Sequence, residues 1–367
     1  MTETQKNIEL GVFIPVGNNG WIHSINTPDT PGTYEHVRKV TLLAESLGYD
    51  FVLSPSIWRG LQGPSQHWSS VSESITTSAG LLEATSRIKV LTTAHMTIFP
   101  PAVIAKMVAT LDQIGPGRIG LNLVTGGSYL DLAHVGLWND DLDHDDKYDL
   151  GDEWVSLVKQ FWTDEVVDHH GRFFNTINGT MGPKPTVMPT LVNAGASPRG
   201  LKFAAQNCDI AFITASDDAA SLETARMAKQ IAATEGKNEL RTYGVVTIVP
   251  GETDEEAQKK MDHLNAGIDL VAKADILAGY QQNRSYEKLS AGSIALAGGE
   301  KMSATLPGEI VGSYESIAKR LATIVHEGNL DGFMLVVPDF IDDLDAVSKR
   351  TMPLLEEYGI SCNVRAQ

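Results

Sequence analysis

The chain contains 367 residues, of which 42% are hydrophobic, so it can bury a large core as one barrel or as two to three domains. Its formal net charge of −17 argues against duplex nucleic acids and anionic membranes as partners, because both bind basic surfaces. The two cysteines, Cys208 and Cys362, lie far apart, which indicates a reducing compartment. No apolar run approaches the ~20 residues of a membrane span or resembles a signal-peptide core, so we expect a soluble cytoplasmic protein.

Strands and helices alternate along the chain. The first apolar run, Ile8–Val16, predicts a strand, and the helical spacing that follows at Thr33–Tyr49 runs through a glycine near its end. In chain order, the further predicted strands are Asp50–Ser54, Ile88–His95, Arg118–Gly126, Thr190–Gly195, Asp209–Thr214, Tyr243–Pro250 and Gly332–Pro338. The further predicted helices include Ser70–Ser86, Pro101–Gly115, Asp152–Trp162, Ser197–Asn207 and Ser316–Gly328. Eight strands that alternate with helices predict an α/β fold, a (β/α)8 TIM barrel with insertions.

A doubly wound sheet is the alternative to the barrel. The first strand–helix loop, PVGNNGWIHSINTPDT, lacks the GxGxxG pattern of a phosphate-binding turn, which favours the barrel. We expect residues 1–367 to form a single domain. Within it, residues 280–308 are rich in Gly, Ser and Ala and are long for a loop. They predict a mobile insertion, which is either a lid over a site or an ordinary surface loop.

The stretch IGPGRIGLNLVTGGSYLDL, residues 114–132, places Asn122, Thr125 and Gly126 at the carboxyl end of the fourth predicted strand. Chemistry in a (β/α)8 barrel belongs at these strand ends. An Asn amide donates and accepts at once, which suits the edge of a heterocycle, and the small residues after it leave room for a flat ligand. The alternative is a buried Asn satisfied by the neighbouring backbone.

Two other strand ends carry candidate residues. His95 ends the third strand and is a candidate acid–base or substrate-orienting group, although a His in an apolar run can also be simply packed. After the fifth strand, the motif NAGASPRG places Gly195 in a turn and Ser197 as the N-cap of a helix that begins with Pro198. A helix N-terminus of this kind can hold a phosphate, and the alternative is an ordinary capped helix.

The acidic run NDDLDHDDKYD, residues 139–149, has no calcium-loop pattern, so we interpret it as solvated loop charge and predict no metal site. No GxSxG motif is present, and neither Cys has a catalytic context. The residues therefore give no indication of a nucleophilic triad.

Several segments together resemble the bacterial luciferase-like flavin monooxygenases. They are GVFIPVGNNGW, VTLLAESLGYDFVLS, TSRIKV, PPAVIAKMVATLDQIGPGRIGLNLVTG, KYD, NAGAS and VGSYESIAKRL. The resemblance runs from about residue 8 to residue 355, is weakest across 215–308, and is most specific at the Asn-Leu-Val-Thr-Gly block. Within this family the chain is most similar to the pyrimidine monooxygenases.

The resemblance implies a (β/α)8 barrel that binds reduced FMN at its mouth, with O2 as co-substrate and a homo-oligomeric assembly. It places the FMN contacts at Ser56, Ile57, Asn122, Asp131, Lys147, Tyr148 and Ser197, in addition to the small residues Thr125, Gly126 and Gly195 noted above. The Lys147–Tyr148 pair would reach the phosphate in place of the family's usual Arg-Tyr.

Three departures from the pyrimidine monooxygenases concern the substrate. Pro55-Ser56-Ile57 stands where those proteins have Met-Ile-Lys, Gly127 replaces a Trp, and His95-Met96 replaces Ala-Thr. The first removes a charge and the second opens volume. A ring system larger than uracil is therefore expected, and a family member that cleaves riboflavin to lumichrome offers a precedent.

These inferences combine into one hypothesis with three rivals. The chain is expected to be a two-component monooxygenase that receives reduced FMN from a separate flavin reductase and oxidises a nitrogen heterocycle with C–N bond cleavage. Asn122 and His95 are the catalytic candidates, because the cofactor supplies the chemistry and the protein orients it. The rivals are uracil ring opening, deazaflavin (F420)-dependent hydride transfer, and flavin binding without turnover.

Overall fold

Eight parallel strands close into a barrel in the computed structural model, which describes residues 5–214, 218–282 and 303–365. Each strand pairs with the next around the ring, and the sixth pairs with the seventh to complete it. The barrel predicted from the sequence is therefore confirmed. The strands are β1 (Glu9–Phe13), β2 (Phe51–Ser54), β3 (Lys89–His95), β4 (Ile119–Val124), β5 (Thr190–Asn193), β6 (Ile210–Ile213), β7 (Arg241–Gly251) and β8 (Gly332–Val336).

The barrel strands are buried on both sides. In β2, Phe51 and Leu53 belong to the cluster that fills the barrel interior, whereas Val52 between them packs in the outer cluster beneath the helices. This alternation follows from the two-residue period of a strand. It explains why the strands read as continuous apolar runs, as expected of a parallel sheet covered on both faces.

Helices cover the outside of the barrel and part of its carboxyl end. They are α1 (Tyr34–Leu47), α2 (Ser74–Ala84), α3 (Pro101–Ile114), α4 (Tyr129–His134), α5 (His144–Thr163), α6 (Pro198–Asn207), α7 (Asp218–Thr234), α8 (Asp254–Ala266), α9 (Leu270–Gln281), α10 (Tyr314–Gly328), α11 (Asp342–Arg350) and a 3₁₀ helix (Met352–Tyr358). Across the parts of the chain that the structure describes, none of these helices combines the length and apolarity that a membrane span requires.

The acidic run at 139–149 is the main correction to the sequence interpretation. It was expected to be loop, but α5 begins at His144 and not at Asp152. The Asp143 side chain accepts hydrogen bonds from the backbone N–H groups of Asp145 and Asp146, and Asp146 closes a reciprocal capping box. Carboxylates at a helix N-terminus satisfy free N–H groups and interact favourably with the helix dipole, so these charges start the helix.

Several elements were not predicted. Val167–His170 and Asn175–Gly179 form an antiparallel hairpin after α5, and Glu309–Ser313 extends the sheet along the end of β7. Two further short strands, Lys6–Asn7 and Ile360–Ser361, pair beneath the barrel. Most of the predicted insertion at 280–308 lies outside the described residues, which stop at 282 and resume at 303.

Asp269 joins two segments that reach the carboxyl end of the barrel. It caps α9 by accepting from the backbone N–H groups of Val271 (3.1 Å) and Ala272 (3.0 Å). Its other oxygen accepts from the backbone N–H (2.8 Å) and hydroxyl (2.5 Å) of Ser65 in the β2–α2 loop. Burial alone would raise the pKa of Asp269, but these hydrogen bonds hold it below the usual value.

We expect Asp269→Asn to lower the free energy of unfolding by about 1–3 kcal/mol at pH 7, because an amide cannot accept from all these donors. A lowered pKa contributes stability above the unfolded value of about 4, and the contribution is lost as the pH falls through the folded pKa. The difference from the wild type should therefore shrink below about pH 4. Denaturant unfolding across this range measures it. Asp262→Asn, on the exposed face of α8, is the control, and an equal loss there would contradict the assignment.

Candidate active site

A cavity of about 260 Å³ opens at the carboxyl ends of the strands. Side chains from β1, β3 and β4, from the loops after β1, β2 and β4, and from α9 form its wall. Its polar and aromatic lining includes Phe13, Trp21, His23, Ser56, Arg59, Trp68, Thr93, His95, Asn122, Ser128, Asp131, Asp275 and Tyr280, and Ile57 and Gly127 also contribute.

Asn122 is oriented by its neighbours in the barrel. The register of β3 and β4 places it opposite Thr93, and its Nδ2 donates to Thr93 Oγ1 at 3.1 Å. The Thr93 hydroxyl in turn donates to the Ser54 carbonyl at 2.7 Å, so it can only accept from Asn122. This fixes which amide atom faces which way. Oδ1 is then left buried, with no hydrogen-bond partner among the described residues.

Asn193, at the end of β5, provides a contrast. Its Nδ2 donates to the Leu123 carbonyl at 2.7 Å, and its Oδ1 accepts from the Gly195 backbone N–H at 2.8 Å. Both ends of this amide are satisfied by the backbone, which is the alternative that the sequence left open for Asn122. The cavity-lining Asn122 instead keeps one acceptor free.

His95 lies between two backbone carbonyls. Its Nε2 is 3.4 Å from the Ser56 oxygen and its Nδ1 is 3.4 Å from the Gly126 oxygen. Burial lowers the pKa of His95, while these carbonyls and the negative charge of Asp131 oppose the shift. A neutral imidazole has one N–H and satisfies one carbonyl, whereas the protonated ring could donate to both. The surroundings of His95 therefore suit a general acid–base group, which accepts a proton and later donates it.

Gly127 makes room for the His95 ring. A Cβ at position 127 would lie 3.3 Å from two atoms of the imidazole, and the backbone there has a φ of +151°, which side chains rarely adopt. The sequence argument held that Gly127, in place of a Trp, opens volume. His95 fills part of that volume, so the exchange supplies a polar group as well as space.

Asp131, on α4, closes the cavity beside His95. Its carboxylate accepts from the Trp58 backbone N–H at 3.2 Å. Burial raises its pKa, although this hydrogen bond and the neighbouring His95 and Arg59 oppose the change. Arg59 itself makes a two-point pair with Asp275 on α9, at 2.9 and 3.2 Å. The pair fastens the β2–α2 loop to α9 across the cavity wall.

A second polar group surrounds the first turn of α6. Ser197 is the N-cap, and its hydroxyl accepts from the Gly200 backbone N–H at 3.0 Å. The Tyr148 hydroxyl lies against Gly195 and Gly200, since a Cβ at either position would be within 2.6 Å of it. Burial raises the pKa of Tyr148, and hydrogen bonds with Thr125 and Ser197 oppose the rise. Glycines thus bring the hydroxyl to the helix N-terminus.

Lys147, which the resemblance places near this turn, and Arg199 in the first turn of α6 both have other partners. The Lys147 ammonium lies 4.8 Å from the centre of the Trp138 ring, because neighbouring residues of a helix point in different directions. Arg199 pairs with Asp149 at 2.9 Å and Asp152 at 2.7 Å on α5. The remaining polar groups at the turn are therefore hydroxyls, backbone N–H groups and the His144 ring, whose Nε2 lies 3.3 Å from the Ser197 hydroxyl.

The structure divides the predicted site residues into two neighbouring groups. Ser56, Ile57, His95, Asn122 and Asp131 line the cavity. Thr125, Tyr148, Gly195 and Ser197 form the group at α6, with Gly126 in the segment between the two groups. In the described parts of the chain, no cluster of His, Cys, Asp or Glu could hold a metal ion.

Sequence reasoning missed a large part of the cavity wall. Trp21 and His23 lie in the loop after β1, and Trp68 lies late in the β2–α2 loop. Asp275 and Tyr280 come from α9, about 150 residues away from Asn122 in the chain. The Trp-Ile-His sequence after the first strand was the one available signal.

An eight-stranded parallel barrel with a polar cavity at its carboxyl end defines a large class of enzymes and cofactor-binding proteins. The family model for luciferase-like monooxygenases matches residues 8–331, and the chain belongs to this family. Pyrimidine monooxygenase RutA of Caulobacter segnis is 34% identical over 353 residues, which cover 95% of this chain and 99% of the relative.

Solved structures share the fold. A riboflavin lyase in complex with modified FMN and riboflavin has a TM-score of 0.82 and 21% identity, with 99% of this chain and 94% of the other covered. A long-chain alkane monooxygenase has a TM-score of 0.77 and 19% identity, with 98% and 93% covered. The family identifies this chain as an oxidoreductase of the monooxygenase type.

Asn122 and Asn193 allow a matched test of the unpaired acceptor. Asn122→Leu removes a buried oxygen that has no partner among the described residues, so we expect the free energy of unfolding to stay within about 1 kcal/mol of the wild type or to rise. Asn193→Leu strands two backbone groups and should cost about 2–4 kcal/mol. Denaturant unfolding of both variants measures the difference. Equal losses would mean that Asn122 has a structural role like that of Asn193.

Proposed function

We propose that this protein is a flavin-dependent monooxygenase that uses reduced FMN and O2 on a pyrimidine-containing ring system larger than uracil, such as riboflavin. The observation that carries the proposal is the free Asn122 Oδ1 on the cavity wall, next to His95 and the glycines that follow β4. The names of the relatives support it, since one is a pyrimidine monooxygenase and a structural neighbour was solved with modified FMN and riboflavin.

The residues present fit a reduced flavin. Its ring carries N–H donors that a free amide oxygen such as Asn122 Oδ1 can accept. A Cβ at Gly126 would meet no atom within 4 Å, so the segment after β4 leaves open space beside the cavity. Ser197, Tyr148 and the N-terminus of α6 offer hydroxyls and N–H groups of the kind that hold a phosphate. Ser56, Ile57 and Asp131 would flank the ring.

When bound, reduced FMN supplies two electrons that activate O2 for transfer of one oxygen atom to the substrate. The chain's own groups orient, shield and move protons. Asn122 would hold the ring edge through Oδ1, because Thr93 fixes its other end. His95, neutral through burial, would accept a proton at whichever ring nitrogen is not donating to a carbonyl. Asp131 would then stabilise the imidazolium.

Cleavage of riboflavin balances as a monooxygenation. One oxygen atom enters a C–H bond of the side-chain carbon attached to the ring nitrogen, and the other leaves as water with two protons and two electrons. The hydroxylated carbon then loses its O–H proton to His95 and forms a C=O bond as its C–N bond breaks. The electron pair of that bond stays on the ring nitrogen system, which takes up a proton and leaves as lumichrome, and the side chain leaves as an aldehyde sugar.

A separate flavin reductase is part of the proposal. The sequence has no GxGxxG motif after its first strand, so no dinucleotide site of that kind accompanies the flavin site. Turnover with NADH alone, without reductase or free flavin, would contradict this two-component arrangement. Anaerobic turnover would favour the F420-type hydride transfer, and flavin binding with no turnover of any substrate would favour a binding protein.

The direct test is an aerobic assay with a flavin reductase, NADH and FMN, in which riboflavin and uracil are offered in parallel and products are identified by mass spectrometry. We expect lumichrome to form only when this protein is present. Ring-opened uracil as the sole product would replace the riboflavin assignment with the pyrimidine alternative.

A His95→Gln variant, which keeps a polar group but binds no proton, should lose most of the activity.

Gly127→Trp tests whether Gly127 is needed to leave space for the His95 ring and a large substrate. A side chain at this position must displace the imidazole, so we expect kcat/KM for riboflavin to fall by at least about 10- to 100-fold, which corresponds to the ~1–3 kcal/mol of an overpacked site. Any uracil activity should fall less, because the smaller ring needs less space. Gly127→Ala is the graded control. A loss that is equal for both substrates would argue against Gly127 as a determinant of substrate size.

A further inference from the structure

Two buried histidines, one in the cavity wall and one beside it, have no role in the chemistry described above. His23, in the loop after β1, is 2% exposed, and His67, in the β2–α2 loop, is 0% exposed. Their rings are 4.5 Å apart between centres. Neither ring nitrogen of His23 has a hydrogen-bond partner in the described part of the chain, whereas the Ile22 carbonyl lies near the His67 ring. Of the two, His23 lines the cavity.

Leaving these nitrogens unpaired is unfavourable for folding. Removal of polar groups from water without hydrogen bonds costs free energy, so native structures rarely tolerate it without a reason. The His23 backbone is nevertheless held firmly, since its N–H donates to the Ala304 carbonyl (2.8 Å) and its carbonyl accepts from the Asp269 N–H (3.0 Å). The ring is thus fixed at the cavity wall with its polar atoms free.

Both imidazoles are neutral near pH 7. Burial lowers the pKa of His23 well below its usual value, and the neighbouring His67 and Lys273 lower it further. Burial lowers the pKa of His67 to about 3, although the charge of Asp269 and the nearby Ile22 carbonyl oppose the shift. A neutral imidazole presents one N–H donor and one nitrogen acceptor. His23 is therefore suited to a neutral partner that both donates and accepts.

The cavity wall around His23 is aromatic. Trp21 stacks on Phe13 with ring centres 3.8 Å apart, and Trp68 meets Trp21 edge-on at 5.5 Å. Both indole N–H groups are already used, by the Phe13 carbonyl for Trp21 and the Gly20 carbonyl for Trp68. These rings thus present apolar surfaces, which suit a flat ligand.

We propose that Phe13, Trp21 and Trp68 form the subsite for the substrate's ring, and that His23 reads the ring's imide edge, the C=O, N–H, C=O sequence of a pyrimidinedione. This inference depends on the proposed function in one respect, because it takes the ligand of the subsite to be the substrate. Uracil and the isoalloxazine ring of riboflavin both carry this imide edge, so either compound matches the subsite. His67 is a positioning residue, because its ring lies against that of His23 at an angle of 35° and does not line the cavity.

N3-methylation of the substrate tests the contact, because it removes the imide N–H and adds bulk at the edge. With FMN saturating, we expect 3-methylriboflavin to have a kcat/KM at least about tenfold below that of riboflavin in the wild type, since a site built around a hydrogen bond rejects analogues that lack it. His23→Phe should lose a similar factor with riboflavin and should no longer distinguish the two compounds. A methyl penalty that is undiminished in His23→Phe would overturn the proposal.

The same comparison is made with uracil and 3-methyluracil. The substrate whose methyl penalty disappears in His23→Phe is the one whose imide edge contacts His23. His23→Gln, which retains a donor and an acceptor, should keep part of the discrimination and remains informative if the Phe variant fails to fold. His36→Phe, at a histidine on α1 outside the cavity, is the matched control and should leave kcat/KM unchanged.

Anaerobic binding separates this inference from the proposed function. Quenching of tryptophan fluorescence by riboflavin, or a displacement titration with uracil, measures affinity without turnover. If neither compound is oxidised but N3-methylation weakens binding to the wild type and not to His23→Phe, the subsite stands and the monooxygenase assignment on these substrates fails. If both compounds and their methyl forms bind equally well, the subsite is wrong whatever the activity.

Discussion

Closure of the barrel between β6 and β7 is the constraint on which the site depends. The pairing of Ile210 with Arg241 joins the last gap in the ring, so all eight carboxyl ends meet at one rim. Residues far apart in the chain thereby become neighbours, such as Thr93 and Asn122 across β3 and β4. The rim is rigid because both faces of the strands are buried. The loops and α9 then build on a fixed base, and Asp269 and the Arg59–Asp275 pair fasten them to each other.

Glycines determine how closely polar groups approach the ligand space. Gly127 leaves room for the His95 ring, and Gly195 and Gly200 leave room for the Tyr148 hydroxyl. In each case the polar side chain occupies the space that a side chain at the glycine position would need. A side chain at 127 would crowd the His95 ring, so we expect the residues at these two positions to depend on each other.

The pattern of strands and helices that predicts the barrel also predicts part of the site. Apolar runs of strand length alternate with helical spacing, and the barrel rule then points to the residues at strand ends, which selects His95, Asn122 and Ser197. The start of α5 at His144 escaped prediction because a dense run of aspartates resembles solvated loop until capping geometry is considered. His23 and His67 escaped because their loops carry no periodicity, and Asp275 and Tyr280 escaped because only the fold brings helix α9 to the cavity.

Unpaired buried atoms alone do not identify a ligand site. Hydroxyls such as Ser54 Oγ and Thr247 Oγ1 are also without partners in the described residues, and neither residue lines the cavity. Asn122 and His23 differ because each has a buried polar atom without a partner among the described residues, is held by its neighbours, and is part of the cavity wall. An amide oxygen and a neutral imidazole in the wall of one cavity are complementary to a flat, polar-edged ring. A ligand that supplies the missing hydrogen bonds would recover the stability that these groups forgo in the free protein, so we expect a ring with this polar edge to bind more tightly than one that lacks it.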